Sequence, residues 1–197
     1  MITVLNVLVL IGSPRGGKNG DVLVDKIIEG MDTGSTNIEK LYTKDLSIGP
    51  CIACDGCTRQ LGCVIKDGMN DMYEKFNKAD IVIMGSPLYF NSINAQLKSV
   101  IDRCQAIWSS KYVLNNSLIN RDKKRLGFFV CTAGVSLEDD PELFKATTPI
   151  LDLFFKSINC EYAGNLFADN VDNHPTWENH SLLEKAHSIG QDLINQF

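Results

Sequence analysis

The sequence predicts an α/β protein, a doubly wound, five-stranded parallel sheet with helices on both faces in a three-layer α/β/α arrangement. Two observations carry this expectation. Short β-branched and apolar runs, of the kind needed by strands covered on both faces, alternate with segments of helical period. That alternation runs once through the 197 residues without repeats, low-complexity tracts or linkers, so the chain 1–197 reads as one domain. Within it, a cysteine-rich insertion occupies about residues 47–66.

The elements follow in order. Val4 to Ile11 is the first apolar run, and it stops at Gly12. Asp21 to Gly30 has helical spacing, and Ile38 to Tyr42 reads as the second strand. Met69 to Lys78 precedes the third strand, Ile81 to Met84. In the segment Ile93 to Ser109, Ile93, Leu97, Val100, Ile101, Cys104, Ile107 and Trp108 recur at steps of three and four, so this helix presents an apolar stripe. Leu126 to Cys131 is the fourth strand, with Arg121 to Arg125 a basic, solvated loop before it. Pro141 to Ile158 is helical but interrupted. Pro149 has no backbone N–H, so a new helix is expected to begin near Thr147 or Thr148 with the proline in its first turn. Tyr162 to Phe167 is the fifth strand and Thr176 to Asn195 the final helix.

Composition narrows the function. With 44% hydrophobic and 22% charged residues the chain is neither disordered nor fibrous. A net charge of −5 gives no general attraction for phosphodiester backbones, so nucleic acid is not an expected partner. The apolar run at Met1 to Ile11 is far shorter than the roughly 20 residues a bilayer needs and has no basic leader, so a cytoplasmic protein that does not enter membranes is expected.

Three loops fall at one edge of the expected sheet. The first, Gly12 to Gly20 (GSPRGGKNG), joins a strand to a helix and can hold an anion. Backbone N–H groups at Gly17 and Gly20, the helix start, and the side chains of Ser13, Arg15, Lys18 and Asn19 supply donors and positive charge. It is not a dinucleotide fingerprint, because G-x-G-x-x-G is absent. As a nucleoside-triphosphate loop it lacks the hydroxyl for magnesium, since Asn19 follows Lys18. The second loop runs from Gly85 through Pro87, Leu88, Tyr89, Phe90, Asn91 and Ser92, and the third is Thr132, Ala133 and Gly134. The carboxyl ends of doubly wound strands converge at the switch point of strand order, where a flat heteroaromatic ring fits between such loops.

Gly12-Ser13-Pro14-Arg15 with Asn19, Cys51-Ile52-Ala53-Cys54-Asp55-Gly56-Cys57 with Gly62-Cys63, Ala79-Asp80 through Ser86-Pro87-Leu88-Tyr89-Phe90, and Leu97-Lys98 with Asp102-Arg103 occur in consistent order over Val4 to Gly134. In these motifs the sequence resembles the flavodoxin-like NAD(P)H-dependent FMN reductases, in particular their iron-sulfur flavoprotein branch. The resemblance implies bound FMN, its phosphate in the Ser13 to Gly20 loop and its isoalloxazine against Pro87 to Ser92 and the Cys131 to Gly134 turn. Gly20 replaces the family's usual Thr or Ser and so removes one phosphate hydroxyl, and Gly68 stands where an acidic residue often follows Asp67.

Cys51, Cys54, Cys57 and Cys63 are spaced C-x2-C-x2-C-x5-C, with Gly49, Gly56 and Gly62 permitting tight turns. Thiolates at steps of three can wrap one face of a [4Fe-4S] cubane. Zinc is the second reading and a loop holding no metal the third. Cys104, Cys131 and Cys160 read as small core residues, and His174, His180 and His187 converge on no site.

The expected function is an FMN-containing redox enzyme in which the flavin carries the chemistry, so that no catalytic side chain is required. Electrons come from NAD(P)H or a ferredoxin-type donor, and pass through FMN and the cluster to an acceptor such as a quinone or another small-molecule oxidant. A cluster-free NAD(P)H-dependent FMN or quinone reductase is the alternative, and a non-catalytic FMN electron carrier is the alternative of another class. The family implies a homodimer or homotetramer.

Overall fold

The computed structural model describes residues 4–31 and 34–197, so the opening Met1 to Thr3 lies outside the described residues. Five parallel strands, β1 (Leu5–Ile11), β2 (Thr36–Tyr42), β3 (Ile81–Tyr89), β5 (Leu126–Thr132) and β6 (Glu161–Ala168), lie in the order β2-β1-β3-β5-β6. A two-residue strand, β4 (Ser92–Ile93), folds back antiparallel on the end of β3. Leaving β4 aside, this is the flavodoxin-like order, with its reversal between β1 and β3.

Alternation along the central strands builds two cores. Val7, Val9 and Ile11 of β1 share one face with Ile81 and Ile83 of β3 and with Leu126, Phe128 and Val130 of β5. Helices α1 (Asn19–Met31) and α6 (His180–Ile194) cover that face through Leu23, Val24, Ile27, Ala186 and Leu193. Leu8, Leu10, Val82, Met84 and Phe129 point the other way, onto α2 (Met69–Lys78), α3 (Ala95–Arg103), α4 (Gln105–Tyr112) and α5 (Thr147–Ser157). A side-chain period of two sorts apolar residues to both faces, and only strands covered on both sides can be apolar throughout. Helices α1 and α6 touch backbone to backbone: a Cβ added at Gly30 would lie 2.0 Å from the His187 carbonyl oxygen, and one at Gly190 would lie 2.1 Å from that of Ile27.

The structure corrects the element boundaries in three places. Strand β3 continues past Met84 to Tyr89, because Gly85 pairs with Ile11 and Pro87 with Thr132 at the switch point. The expected helix Ile93 to Ser109 is divided. Its first residue belongs to β4, and it breaks at Cys104, where the Tyr73 hydroxyl donates to the Arg103 carbonyl at 3.0 Å and the Ile107 N–H donates to Cys104 instead. The final helix begins at His180 after a short 3-10 turn at Thr176–Glu178, with the Asn179 side chain accepting from the Leu182 N–H as its cap. The break expected near Pro149 is present, as α5 starts at Thr147 with the proline in its first turn. No helix among the described residues is long and apolar enough to cross a membrane.

Candidate functional site

A groove of about 500 Å³ opens at the carboxyl end of the sheet, where the β1 and β3 connections diverge. One end is the loop before α1: Ser13, Arg15, Lys18, Asn19 and Gly20 line it, beneath the positive end of a 13-residue helix. The other side is formed by Pro87, Leu88 and Tyr89 of β3, with Thr132 at the end of β5 and Gly134 just beyond it. The third wall, Val171, Asp172, Pro175 and Trp177, comes from the segment before α6 and is one that local sequence patterns did not single out.

The donors in the first loop divide into those already bonded and those facing the groove. Ser13 Oγ accepts from the Arg15 N–H and donates to the Arg15 carbonyl, fixing the turn. Gly17, at φ +66°, turns its N–H back onto Asp21 at 2.6 Å. Asn19 ties the loop to the C-terminal wall: its Oδ1 accepts from the Thr176 N–H at 2.9 Å and its Nδ2 donates to the Val171 carbonyl at 3.4 Å. Arg15 and Lys18 are exposed cations at the groove, Lys18 lying 6.0 Å from the centre of the Trp177 ring. Beneath them Asp21 is buried. Burial pushes its carboxyl up, but Lys40, the Gly17 N–H and the Tyr42 hydroxyl together hold it below the ordinary value. The loop therefore rests on a carboxylate that its own partners neutralise.

Asn94 joins the first loop to the second. Its side chain is 1% exposed; Nδ2 donates to the Gly12 carbonyl at 2.5 Å, and Oδ1 accepts from Ser86 Oγ at 3.2 Å. An Asn before a helix ordinarily caps it, and Asn94 does precede α3, yet its side chain makes no cap bond and is spent across the groove floor instead. Gly12 permits this, since a Cβ there would lie 2.4 Å from Asn94 Oδ1. Tyr89 lines the groove, whereas Phe90 and Asn91, at φ +50° and +54°, form the hairpin tip, with Phe90 fully exposed and Ser92 paired back to Tyr89. Ala133 is not in the groove wall; its N–H and carbonyl bond Ala168 and Val171.

The cysteine loop forms a second concavity. Cys51, Cys54, Cys57 and Cys63 all line one small cavity of about 50 Å³, together with Ile65, Arg103 and Ala106. Cys51 and Cys54 are exposed and the other two half-buried. The tight turns fall at Ala53, Asp55 and Gly62, which have positive φ, while Gly56 serves close packing: a Cβ there would lie 2.3 Å from Val64. No group of three or more His, Cys, Asp or Glu side chains among the described residues is placed to hold a metal ion. Arg103 is anchored to Asp67 by two bonds of 2.7 and 2.9 Å and donates to the Gly49 carbonyl at 2.9 Å. Burial opposes its charge, but Asp67 and then the Cys63 sulfur raise its pKa above the ordinary arginine value. Arg103 was missed as a site residue because only the tertiary fold brings it under the cysteines. Burial pushes the Cys131 and Cys160 thiols up to about 12, as suits inert core residues.

Residues 5–135 match the family model for NADPH-dependent FMN reductase. An iron-sulfur flavoprotein of Methanosarcina thermophila is 32% identical over 107 residues, covering 54% of this chain and 56% of that protein. The chain spans about half the length of the curated relatives it matches. Among solved structures, an NAD(P)H:quinone oxidoreductase from Methanothermobacter marburgensis aligns over 97% of this chain and 96% of its own, with TM-score 0.72 and 15% identity. An FMN-dependent NADH-azoreductase from Bacillus anthracis, solved in complex with FMN, aligns over 98% and 99%, with TM-score 0.70 and 13% identity. At these identities the two structures establish the fold.

Proposed function

Because the chain belongs to the NADPH-dependent FMN reductase family, we propose that it is an FMN-dependent oxidoreductase that takes electrons from NAD(P)H or a ferredoxin-type donor and passes them on through a [4Fe-4S] cluster held by Cys51, Cys54, Cys57 and Cys63. The observation that carries this reading is the placement of two sites at the two ends of α3. Asn94, just before the helix, holds both loops of the groove, and Arg103, its last residue, lines the cysteine cavity. Nine residue steps of helix span roughly 13 Å.

The groove suits FMN. Arg15, Lys18 and the start of α1 meet its phosphate, and the Thr132 hydroxyl stands beside Gly20, 3.6 Å from where a Cβ would be, offering a donor near the hydroxyl that Gly20 lacks. Pro87, Leu88 and Tyr89 give an apolar wall for the ring, and Trp177 and Pro175 narrow the opening against water. Bound FMN supplies hydride acceptance and one-electron release, so the side chains around it bind and orient and need no triad. The four cysteines line one cavity, and four thiolates are the donor set a [4Fe-4S] cubane takes, one to each iron.

The deciding measurement is an ultraviolet-visible spectrum of anaerobically purified protein, with iron and acid-labile sulfide determined on the same sample. A flavin spectrum with about four irons per chain is expected. Flavin without iron or sulfide after anaerobic reconstitution leaves the second reading, a cluster-free reductase of quinones or azo compounds, favoured by the near-complete structural alignment with the quinone oxidoreductase and the azoreductase. Absence of flavin and of FMN uptake overturns both.

A further inference from the structure

Two arginines are almost completely buried, and they differ in one respect. Arg125 uses every nitrogen: Nε donates to the Phe76 carbonyl at 3.1 Å, and its terminal nitrogens donate to the carbonyls of Asn120 and Asn77, each at 2.8 Å. Arg103, 2% exposed, spends its terminal nitrogens on Asp67, Gly49 and Ile65, but its Nε is buried without an acceptor among the described residues. A charged donor left unmatched in the interior is costly and rare, so an orphaned one calls for a partner. The surface that Arg103 shares is the cysteine cavity, where two sulfurs are half-buried: Cys57 Sγ already meets the Ser109 hydroxyl at 3.5 Å, and Cys63 is the one that supports the guanidinium charge.

We propose that the Arg103 Nε–H is reserved for the cluster-bound Cys63 thiolate, and that Arg103 is thereby a positioning residue that sets the reduction potential of the cluster. This deepens the cluster reading of the preceding section and rests on it. A hydrogen bond to a ligating sulfur draws electron density from it and favours the reduced, more negative cluster, so the potential rises. The two Asp67 bonds fix the plane of the guanidinium and thus the direction of Nε, which a flexible ammonium cannot reproduce. Arg59 provides an internal contrast: it is exposed, and it reaches the same loop only through the Cys54 carbonyl, at 3.3 Å.

The test uses reconstituted wild-type protein, Arg103→Lys and Arg59→Gln. Cluster potentials are measured by redox titration followed by electron paramagnetic resonance. Arg103→Lys keeps the charge but loses the directed donor. At a fixed solution potential it is expected to lower the reduced-to-oxidised ratio about tenfold, equivalent to about 59 mV for one electron. Arg59→Gln is expected to change that ratio less than twofold. Electron-nuclear double resonance on reduced wild-type protein carrying [15N]arginine gives a reading that survives a variant's failure to fold, and coupling to an arginine nitrogen is expected. A fully loaded wild-type cluster without that coupling, an unmoved potential in loaded Arg103→Lys, or an equal shift in Arg59→Gln overturns the assignment alone. Wild-type protein that takes up no iron overturns the cluster reading and this assignment with it.

Discussion

Replacing Asn94 by alanine tests whether the two groove loops are held at a set spacing. The change removes the Nδ2 donor from the buried Gly12 carbonyl and the Oδ1 acceptor from Ser86. Gly12 carries the larger cost, because a buried carbonyl left without its donor costs about 1–3 kcal/mol. Ser86 loses less, since its hydroxyl also reaches the Pro87 carbonyl at 2.8 Å and still accepts from the Asn94 N–H at 3.1 Å. The sum is about 2–3 kcal/mol, read as a lower urea midpoint at unchanged slope. FMN affinity, followed by flavin fluorescence quenching, should fall about tenfold for each 1.4 kcal/mol of lost pre-organisation. Gly12→Ala gives the second arm of a cycle: its new Cβ would meet Asn94 Oδ1 at 2.4 Å, so it should cost less in the Asn94→Ala background than alone. Asn94→Ala protein with wild-type FMN affinity, or with a stability loss below about 0.5 kcal/mol, would refute the argument that this side chain sets the loop spacing.

Arg15→Gln removes an exposed cation at the groove, and should weaken FMN binding about tenfold, about 1.4 kcal/mol, while moving stability by less than about 0.5 kcal/mol; isothermal titration and urea melts check the two. Gly190→Ala and Gly30→Ala each force α1 from α6 and should destabilise by about 1–3 kcal/mol, but the double variant should cost less than their sum, because one separation relieves both clashes. Asp67 is held below its ordinary value of 3.8, first by its hydrogen bonds from Arg103, against a smaller opposing effect of burial. Its contribution is therefore present above that value and lost as pH falls through the lower folded value. Wild-type protein should lose stability in that acid window, and Asp67→Asn should both flatten the loss and lower stability at neutral pH by about 3–5 kcal/mol, since Arg103 keeps a buried charge without its carboxylate.

The sequence by itself determined the layers and their order, because apolar runs on strands such as Val7 to Ile11 and Ile81 to Met84 can be buried only by covering both faces, and that requirement is local. It also carried the groove's first loop and the cysteine spacing, since glycine placement and steps of three are written in contiguous residues. Only tertiary structure decided which side chains serve those sites from a distance. Asn94 reads locally as a helix cap and is spent 82 positions away on Gly12. Asn19 reads locally as a phosphate donor, and its side chain bonds the Thr176 N–H 157 positions along the chain. Arg103 lies on the helix whose continuation the sequence implied, yet Tyr73 takes its carbonyl, the helix breaks, and its guanidinium lies beneath the cysteines. Hydrogen-bond partners are chosen by proximity after the sheet has formed, and a buried donor binds whatever acceptor the fold brings within reach, however far along the chain that acceptor lies.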